Sequence, residues 1–289
     1  MSTFLVGVDG SAASNAAVVW AARAAASEGA ELRLVGVYDA STSNYAPGLV
    51  IPQDVVEAIR EDATDAVRAA AALAEETAPG LTVHSSIVAG DAARVLLELG
   101  KEASTIVLGT RGLGSVKGLF LGSVSTTVAA HAHGRVVVVP GAARTEAGPI
   151  VVGIDDSAVS VAAITEAFRQ AALHGTTLIA VHTWTPLDAD ALRGYGIDPD
   201  EVERMSQEAV AALAEQLAGY RTDYPDVEVI REVLPADPAT AVLAAAAKYE
   251  AALVVVGSRG RGGFTGLLLG STSQKILHHA DLPVAVVRA

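Results

Sequence analysis

A glycine-rich stretch occurs twice in the chain. Gly109-Thr-Arg-Gly112 is followed, after nine residues, by Gly122-Ser123-Val124-Ser125, and Gly257-Ser-Arg-Gly260 is followed, again after nine, by Gly270-Ser271-Thr272-Ser273. Each copy follows a short apolar run, 105–108 or 253–256, and precedes a helix-compatible segment. A strand that opens into a glycine-rich loop and then a helix start is a geometry for binding phosphate. Glycines let backbone N–H groups gather around an anion, and the helix start adds unpaired donors and a partial positive charge. The serines after the last glycine can cap that helix or donate to a phosphate. Arg111 and Arg259 suit phosphate pairing and suit solvated loop positions equally well. A lone pair of glycines is ordinary turn chemistry. Turns, however, do not require the same gap, the same Arg and the same Gly-Ser ending to recur 148 residues later (257 − 109). The loop lacks the Gly-Lys-Ser/Thr of a P-loop and the tight Gly-x-Gly-x-x-Gly of a dinucleotide fold. One nucleotide site is expected in each half.

The elements that must position these loops can be read along the chain. Residues 3–9 form an apolar run that ends in Asp9 and is followed by Gly10-Ser11, which predicts a buried strand and a turn. Ser11 or Ser14 is placed to cap an Ala-rich helix reaching about Glu28. A second strand is expected over 32–38, a long loop with Pro47, Gly48 and Pro52 over 39–52, and a long helix over 54–77. That helix carries Val55, Ile59, Ala63, Val67 and Ala70 on one side. A third strand follows over 81–88, and then a helix capped by Asp91 and running to about Ala103. The fourth strand (105–108), the glycine loop, a helix over 123–133 and a fifth strand over 136–139 complete the half. The pattern then restarts, with strands expected over 150–155, 177–184, 227–234, 253–256 and 284–287, and with Asp237 where Asp91 stands. The offset is 146 at Asp237 (237 − 91) and 148 at the glycine loop, so the third helix of the second half is about two residues longer. Alternating strands and helices imply right-handed crossovers and a parallel sheet. Two copies, each with its own strands, imply a duplicated α/β domain rather than a solenoid. The expected division is a first domain over 1–140, a linker over 141–149 and a second domain over 150–289.

Composition narrows the function. The 289 residues are 51% hydrophobic, 18% charged and only 4% aromatic, so sizeable cores must be built from Val, Leu, Ile and Ala. A net charge of -13 argues against a general nucleic-acid or anionic-membrane surface. Cysteine is absent, which excludes disulfides, thiolate metal sites and cysteine catalysis. The start of the sequence shows no signal peptide, and no apolar run approaches the roughly 18 residues that span a bilayer. A soluble cytoplasmic protein is expected. His131, His133, His278 and His279 stand near helix ends, where a cation suits the helix dipole, and no acid or histidine cluster completes a metal site around them.

Asp9 and Gly109 both end strands. If those strands are neighbours, the chain leaves them toward opposite faces, and Asp9, the glycine loop and the last helix share a crevice of the kind where open α/β sheets bind ligands. Asp155 does the same in the second half. Each acid reads either as a turn or helix cap, or as a group holding Mg²⁺ or a ribose hydroxyl.

On these residues the chain resembles the universal stress protein family, twice over in tandem. That family carries Gly-x2-Gly-x9-Gly-Ser/Thr after its fourth strand and an Asp near the end of its first. The resemblance covers nearly the whole chain. It implies an open parallel five-stranded sheet, ordered 3-2-1-4-5, in each half, with helices on both faces, of the adenine-nucleotide alpha-hydrolase type. It also implies ATP, with adenine near the first two strands and ribose and phosphates on the glycine loop. Matched by position, the first site uses Gly7, Val8, Asp9, Val37, Gly109, Arg111, Gly112, Gly122, Ser123, Val124 and Ser125. The second uses Gly153, Ile154, Asp155, Thr183, Gly257, Arg259, Gly260, Gly270, Ser271, Thr272 and Ser273. Mg²⁺ held through the phosphates would fall to Asp9 and Asp155. The second half departs in carrying Asp156 where the first has Gly10; an extra acid there weakens anion binding or recruits a cation.

The expected function is an ATP-binding regulatory stress-response protein acting through nucleotide-dependent contacts with partners. The alternatives are a slow ATPase or nucleotidyl-transferring enzyme, for which no general base is evident, and an interaction module with vestigial sites, against which the intact glycines of both copies speak. The fifth strand is apolar and ends each repeat, so it is expected as an edge through which the halves pair as an internal pseudo-dimer, with a further dimer of chains open to it. Expressed apart, each half should therefore self-associate in analytical ultracentrifugation. Halves that stay monomeric and folded at high concentration would remove the basis for this pairing.

Overall fold

The computed structural model describes residues 2–39, 52–110, 121–141, 147–155, 157–185, 187, 189–260 and 269–288. Most of the expected 39–52 loop, Arg111, Gly112 and Asp156 lie outside the described residues. The chain divides into two compact units, Met1–Ala143 and Arg144–Ala289.

The first unit runs β1 (Thr3–Val8), α1 (Ala12–Glu28), β2 (Glu31–Tyr38), α2 (Gln53–Thr77), β3 (Val83–Ala89), α3 (Ala92–Leu99), β4 (Thr105–Gly109), α4 (Ser123–His131) and β5 (Arg135–Val139). The second runs β6 (Ile150–Ile154), α5 (Ala158–His174), β7 (Leu178–Thr185), α6 (Ala189–Gly194), α7 (Pro199–Ala218), α8 (Tyr220–Asp223), β8 (Val229–Pro235), α9 (Pro238–Lys248), β9 (Leu253–Gly257), α10 (Ser271–His279) and β10 (Val284–Val287). In the first unit the strands lie β3-β2-β1-β4-β5; in the second they lie β8-β7-β6-β9-β10. Every pairing within a unit is parallel. Each unit is thus an open five-stranded α/β sheet of order 3-2-1-4-5.

Both faces of the sheet are covered, which is why its inner strands read as unbroken apolar runs. Phe4, Leu5, Val6, Val107 and Val137 are fully buried, as are Val151, Val152, Val254 and Val255. The scarcity of aromatics is met by close approach. α1 buries Ala13, Ala17, Ala21, Ala22 and Ala25 against the sheet. Glycines mark the tightest contacts: a Cβ on Gly36 would lie 2.7 Å from Val67 Cγ2 of α2. α1 and α5 stop at Gly29 and Gly175, both left-handed (φ 61° and 58°), the conformation glycine adopts without a Cβ clash.

Two helix ends differ from the sequence reading. α3 stops at Leu99 and tightens into a 3-10 turn over Gly100–Glu102, whereas α9 runs on to Lys248, so the two extra residues of the second half lie here. α4 stops at His131 because Ala132 is extended (ψ 152°) and Gly134 is left-handed (φ 92°). The His131 ring bonds back through Nδ1 to Thr127 O at 2.8 Å, which closes the last turn. The short α6 and α8 have no counterpart among the described residues of the first unit; Tyr220 of α8 and Tyr224 just after it stack on Phe168 at 4.9 and 5.6 Å.

The amino rim of the first unit holds a buried ion pair. Arg135 Nη2 lies 3.0 Å from Glu28 Oε1. Its Nε donates to Thr105 Oγ1 at 2.9 Å, and its guanidinium sits over the Phe4 ring. Among the described residues, no helix is long and apolar enough to cross a membrane.

Gly109 is the glycine least free to change. A Cβ there would lie 2.5 Å from Ala13 C, 2.7 Å from Ala13 O and 2.8 Å from Ser14 N, all backbone atoms of α1. Gly109→Ala should therefore destabilise the first unit by about 1–3 kcal/mol, the usual cost of overpacking. Urea unfolding followed by circular dichroism checks this, and an unchanged midpoint would show that α1 shifts without cost.

Candidate functional site

In each unit the first strand lies between the second and the fourth, so the crevice opens at the carboxyl ends of β1 and β4, and of β6 and β9. The described parts of the two glycine stretches are built alike. The loop is drawn shut at its base by three hydrogen bonds. Thr110 N–H donates to Val139 O (3.0 Å), Gly122 N–H to Thr110 O (2.7 Å) and Ser125 Oγ to Gly109 O (2.6 Å). The second unit repeats them as Ser258 N–H to Val287 O (2.8 Å), Gly270 N–H to Ser258 O (2.7 Å) and Ser273 Oγ to Gly257 O (2.6 Å). Leu121 and Leu269, just before the last glycine, are buried and anchor the loop's return.

The consequence is a helix start fixed at the sheet's rim. Gly122 and Gly270 are the N-caps of α4 and α10 and, lacking side chains, supply no capping acceptor. By helix geometry, the N–H groups of Ser123, Val124 and Ser125, and of Ser271, Thr272 and Ser273, have no partner inside the helix. α1, α3, α7 and α9 by contrast are capped by Ser11, Asp91, Asp198 and Asp237. Both glycine caps have extended backbones (φ −64° and −70°), so a positive φ is not what they supply. Space is: a Cβ on Gly270 would stand 3.3 Å from Arg259 Cα.

The acids behave as expected in place and differently in detail. Asp9 is exposed; its Oδ1 accepts from Ser11 N–H at 3.0 Å, and its own N–H donates to Ser14 Oγ at 3.3 Å. Asp155 is half-buried and more tightly held, its Oδ1 accepting from Ser157 N–H (3.0 Å), Ser157 Oγ (2.5 Å) and Ser160 Oγ (2.7 Å). Its Oδ2 lies against Gly260, so close that a Cβ there would collide with it. The first-strand acid and the glycine loop of the second unit therefore meet.

Other expected residues divide by role. Gly7 and Gly153 are packing glycines: a Cβ on Gly7 would meet Leu108 Cδ2 at 2.8 Å, and one on Gly153 would meet Val242 Cγ2 at 3.1 Å. Gly109 and Gly257 let the first helix approach, a Cβ on Gly257 falling 2.9 Å from Val159 Cγ1. Val8 and Ile154 are buried, in register with Gly36 and His182. Val37 and Thr183 are half-buried, one residue further along β2 and β7. Ser125 and Ser273 are buried with hydroxyls turned to the strand end, while Ser123 and Ser271 are exposed at the helix start.

One residue escaped the sequence reading. Arg288 follows β10 and is half-buried beside Arg259; burial, and after it the Arg259 charge, lowers its pKa from the ordinary arginine value. Its only signal in the sequence is a basic residue directly after the last apolar run. Among the described residues, no group of three or more His, Asp or Glu could hold a metal ion.

Comparison with known proteins places this geometry in a family. The model of the universal stress protein family matches twice, over residues 1–140 and 147–288. A universal stress protein from Mycolicibacterium smegmatis is 41% identical over 290 residues, covering 98% of this chain and 96% of that one. Another, from Mycobacterium tuberculosis, is 38% identical over 294 residues, covering 98% of this chain and 96% of that one. The fold matches the crystal structure of a universal stress protein from Archaeoglobus fulgidus, with a TM-score of 0.70, 21% identity, and coverage of 99% of this chain and 96% of that one. The repeated loop, its ties and both matches have one reading: the chain belongs to the universal stress protein family, with two copies of its domain in tandem.

Proposed function

We propose that the protein is an ATP-binding regulator with one nucleotide site per unit, acting through nucleotide-dependent contacts with partners. The two domains are taken as 1–140 and 150–289, joined by 141–149. One observation carries the reading: a helix that starts at a glycine, with open N–H donors, is tied to the end of a strand whose neighbour ends in a carboxylate. This arrangement supports an anion on the helix start and a hydroxyl-bearing sugar on the acid.

The residues fit the nucleotide. The start of α10 supplies backbone donors, and the backbone of Arg259 runs beside it. Asp155, fixed by two serines, suits a ribose hydroxyl or a Mg²⁺ bridging to phosphate, and Asp9 is its counterpart. Val37 and Thr183 offer the half-buried wall for the base. The chain's own part is to hold the phosphates at the helix start and orient the sugar on the acid. Turnover is not part of the proposal, because Asp155 Oδ1 is already engaged by three donors rather than poised as a base.

Titration calorimetry of nucleotide-free protein with ATP should give two sites per chain. One site or none would count against the reading. Each site should also add stability, about 2.7 kcal/mol at a free ATP concentration of 100 times Kd.

Gly122→Glu with Gly270→Glu should abolish binding, since a carboxylate at the helix start adds bulk and like charge where the phosphates sit. The fold should survive, because both glycines already have φ values open to any residue and lie at the rim. Circular dichroism separates loss of binding from loss of fold, and the milder Gly→Ala pair serves if the double variant unfolds. Near wild-type affinity in a folded double variant would sink the assignment.

A further inference from the structure

The end of β6 is paired on one side only. Its pairing with β9 stops at Val152, while its pairing with β7 runs on through Gly153 and Ile154. Asp155 follows directly, so whatever fixes Ile154 bears on the acid. A side chain of β7 adds to that hold. His182, in register with Ile154, is 3% exposed and bonds through Nδ1 to Ile154 O at 3.0 Å. A carbonyl can only accept, so Nδ1 carries the hydrogen. In the first unit β1 likewise parts from β4 after Val6 and stays paired with β2 to Val8, but the residue in register with Val8 is Gly36. Gly36 can make no such tie. A Cβ there would already lie 2.7 Å from Val67 Cγ2 and 3.3 Å from Ala63 O, so α2 fills the space a side chain would need.

We propose that His182 is a positioning residue of the second unit's site: by holding Ile154 O it sets where Asp155 presents its carboxylate to the ribose hydroxyls of the nucleotide. The inference rests on the nucleotide reading above and adds to it that the second site selects for the sugar through a side chain one strand away.

Hydrogen bonds to a carboxylate are strong and sensitive to distance and angle, so a small displacement of the strand end is felt at the sugar. Asp155 is located from two directions. From α5, Ser157 and Ser160 donate to its Oδ1, and its own N–H donates to Ser160 Oγ at 2.8 Å. From β7, the imidazole holds the carbonyl that precedes it. Asp9 has the ties to the helix, from Ser11 N–H and to Ser14 Oγ, without the tie from the neighbouring strand's side chain. Removing the imidazole leaves Ile154 O without that partner. The strand end is then held by the backbone ladder to β7 alone, as β1 is by its ladder to β2.

The test uses the full chain carrying Gly122→Glu, so that only the second site titrates. ATP and 2′,3′-dideoxyATP, which lacks both ribose hydroxyls, are titrated by calorimetry, and urea unfolding reports the fold. With His182 in place, ATP should bind about tenfold or more tighter than the dideoxy analogue, the value of a hydrogen bond to a charged group. His182→Leu should bring that ratio to within about threefold, because the carboxylate is no longer held in line with the hydroxyls. His182→Asn, whose amide N–H stands where Nδ1 does, should restore the ratio. His182→Gln, whose amide reaches the Nε2 position instead, should not. That Asn–Gln comparison carries the test if His182→Leu unfolds. An unchanged ratio in the Leu and Gln variants, whether both ligands weaken equally or not at all, would make His182 a packing residue and overturn the proposal. No preference for ATP over the analogue with His182 in place would overturn it while the nucleotide site stands. Absence of any nucleotide binding in the unmutated chain would overturn it through the reading it rests on.

Discussion

A buried serine hydroxyl bonded to the carbonyl of a strand-ending glycine is the contact on which the rim of each unit depends. Ser125 holds Gly109 O, and Ser273 holds Gly257 O, each at 2.6 Å. The bond fixes where the last helix begins relative to the sheet. Without it, the glycine carbonyl would be left without that partner, at a cost of about 1–3 kcal/mol, and the helix start could drift from the crevice. With it, and with the Gly122 and Gly270 N–H bonds across the loop base, the intervening residues need only span between two fixed points. The spacing of the motif follows from this. The final serine stands three residues past the helix-capping glycine, so its side chain turns inward while the first serine stays on the outside.

The glycines that make this possible do three different things. Gly29 and Gly175 end helices in the left-handed region. Gly7, Gly36 and Gly109 clear space for helix or side-chain atoms that would otherwise lie within 3 Å of a Cβ. Gly122 and Gly270 start helices without competing for the first donors. Close packing of Ala-rich helices on Val-rich strands replaces the bulk that aromatics would supply, and it leaves little slack. An α1 that moved would carry with it Ser11 and Ser14, which hold Asp9.

This division of labour also explains what was legible beforehand. Strands showed as unbroken apolar runs because both faces are buried, and the repeat gave their number; their order came only from the family resemblance. Helix ends were harder: α3 shortens and α4 stops early through local backbone geometry at Gly100, Ala132 and Gly134, which hydrophobic periodicity does not register. The small helices α6 and α8 carry too few apolar positions to stand out. In the motif, spacing showed the repeat but not which of its glycines clear packing space. Gly7 and Gly109 stand where a Cβ would crowd Leu108 and α1, which the motif's spacing does not show, while Arg288 is remote in sequence from Arg259 and carries no motif of its own.

Repetition with unequal rims has a physical logic. The ties at the loop base are identical in both units to within about 0.2 Å, since any change there would move a helix. Outside that base the units part. Gly36 pairs in register with Val8, whereas its counterpart His182 is buried and bonds through Nδ1 to Ile154 O at 3.0 Å. Asp9 is exposed with one serine donor on its carboxylate, while Asp155 is held by two serines against Gly260. Pro140 stands where Arg288 does. The buried Glu28–Arg135 pair has no counterpart, since His174 and Pro283 occupy those positions. Changes at such places alter charge and stiffness around a crevice whose backbone stays fixed. Asp155 is the more tightly held acid, whereas the buried ion pair belongs to the first unit, so neither unit is the more ordered throughout.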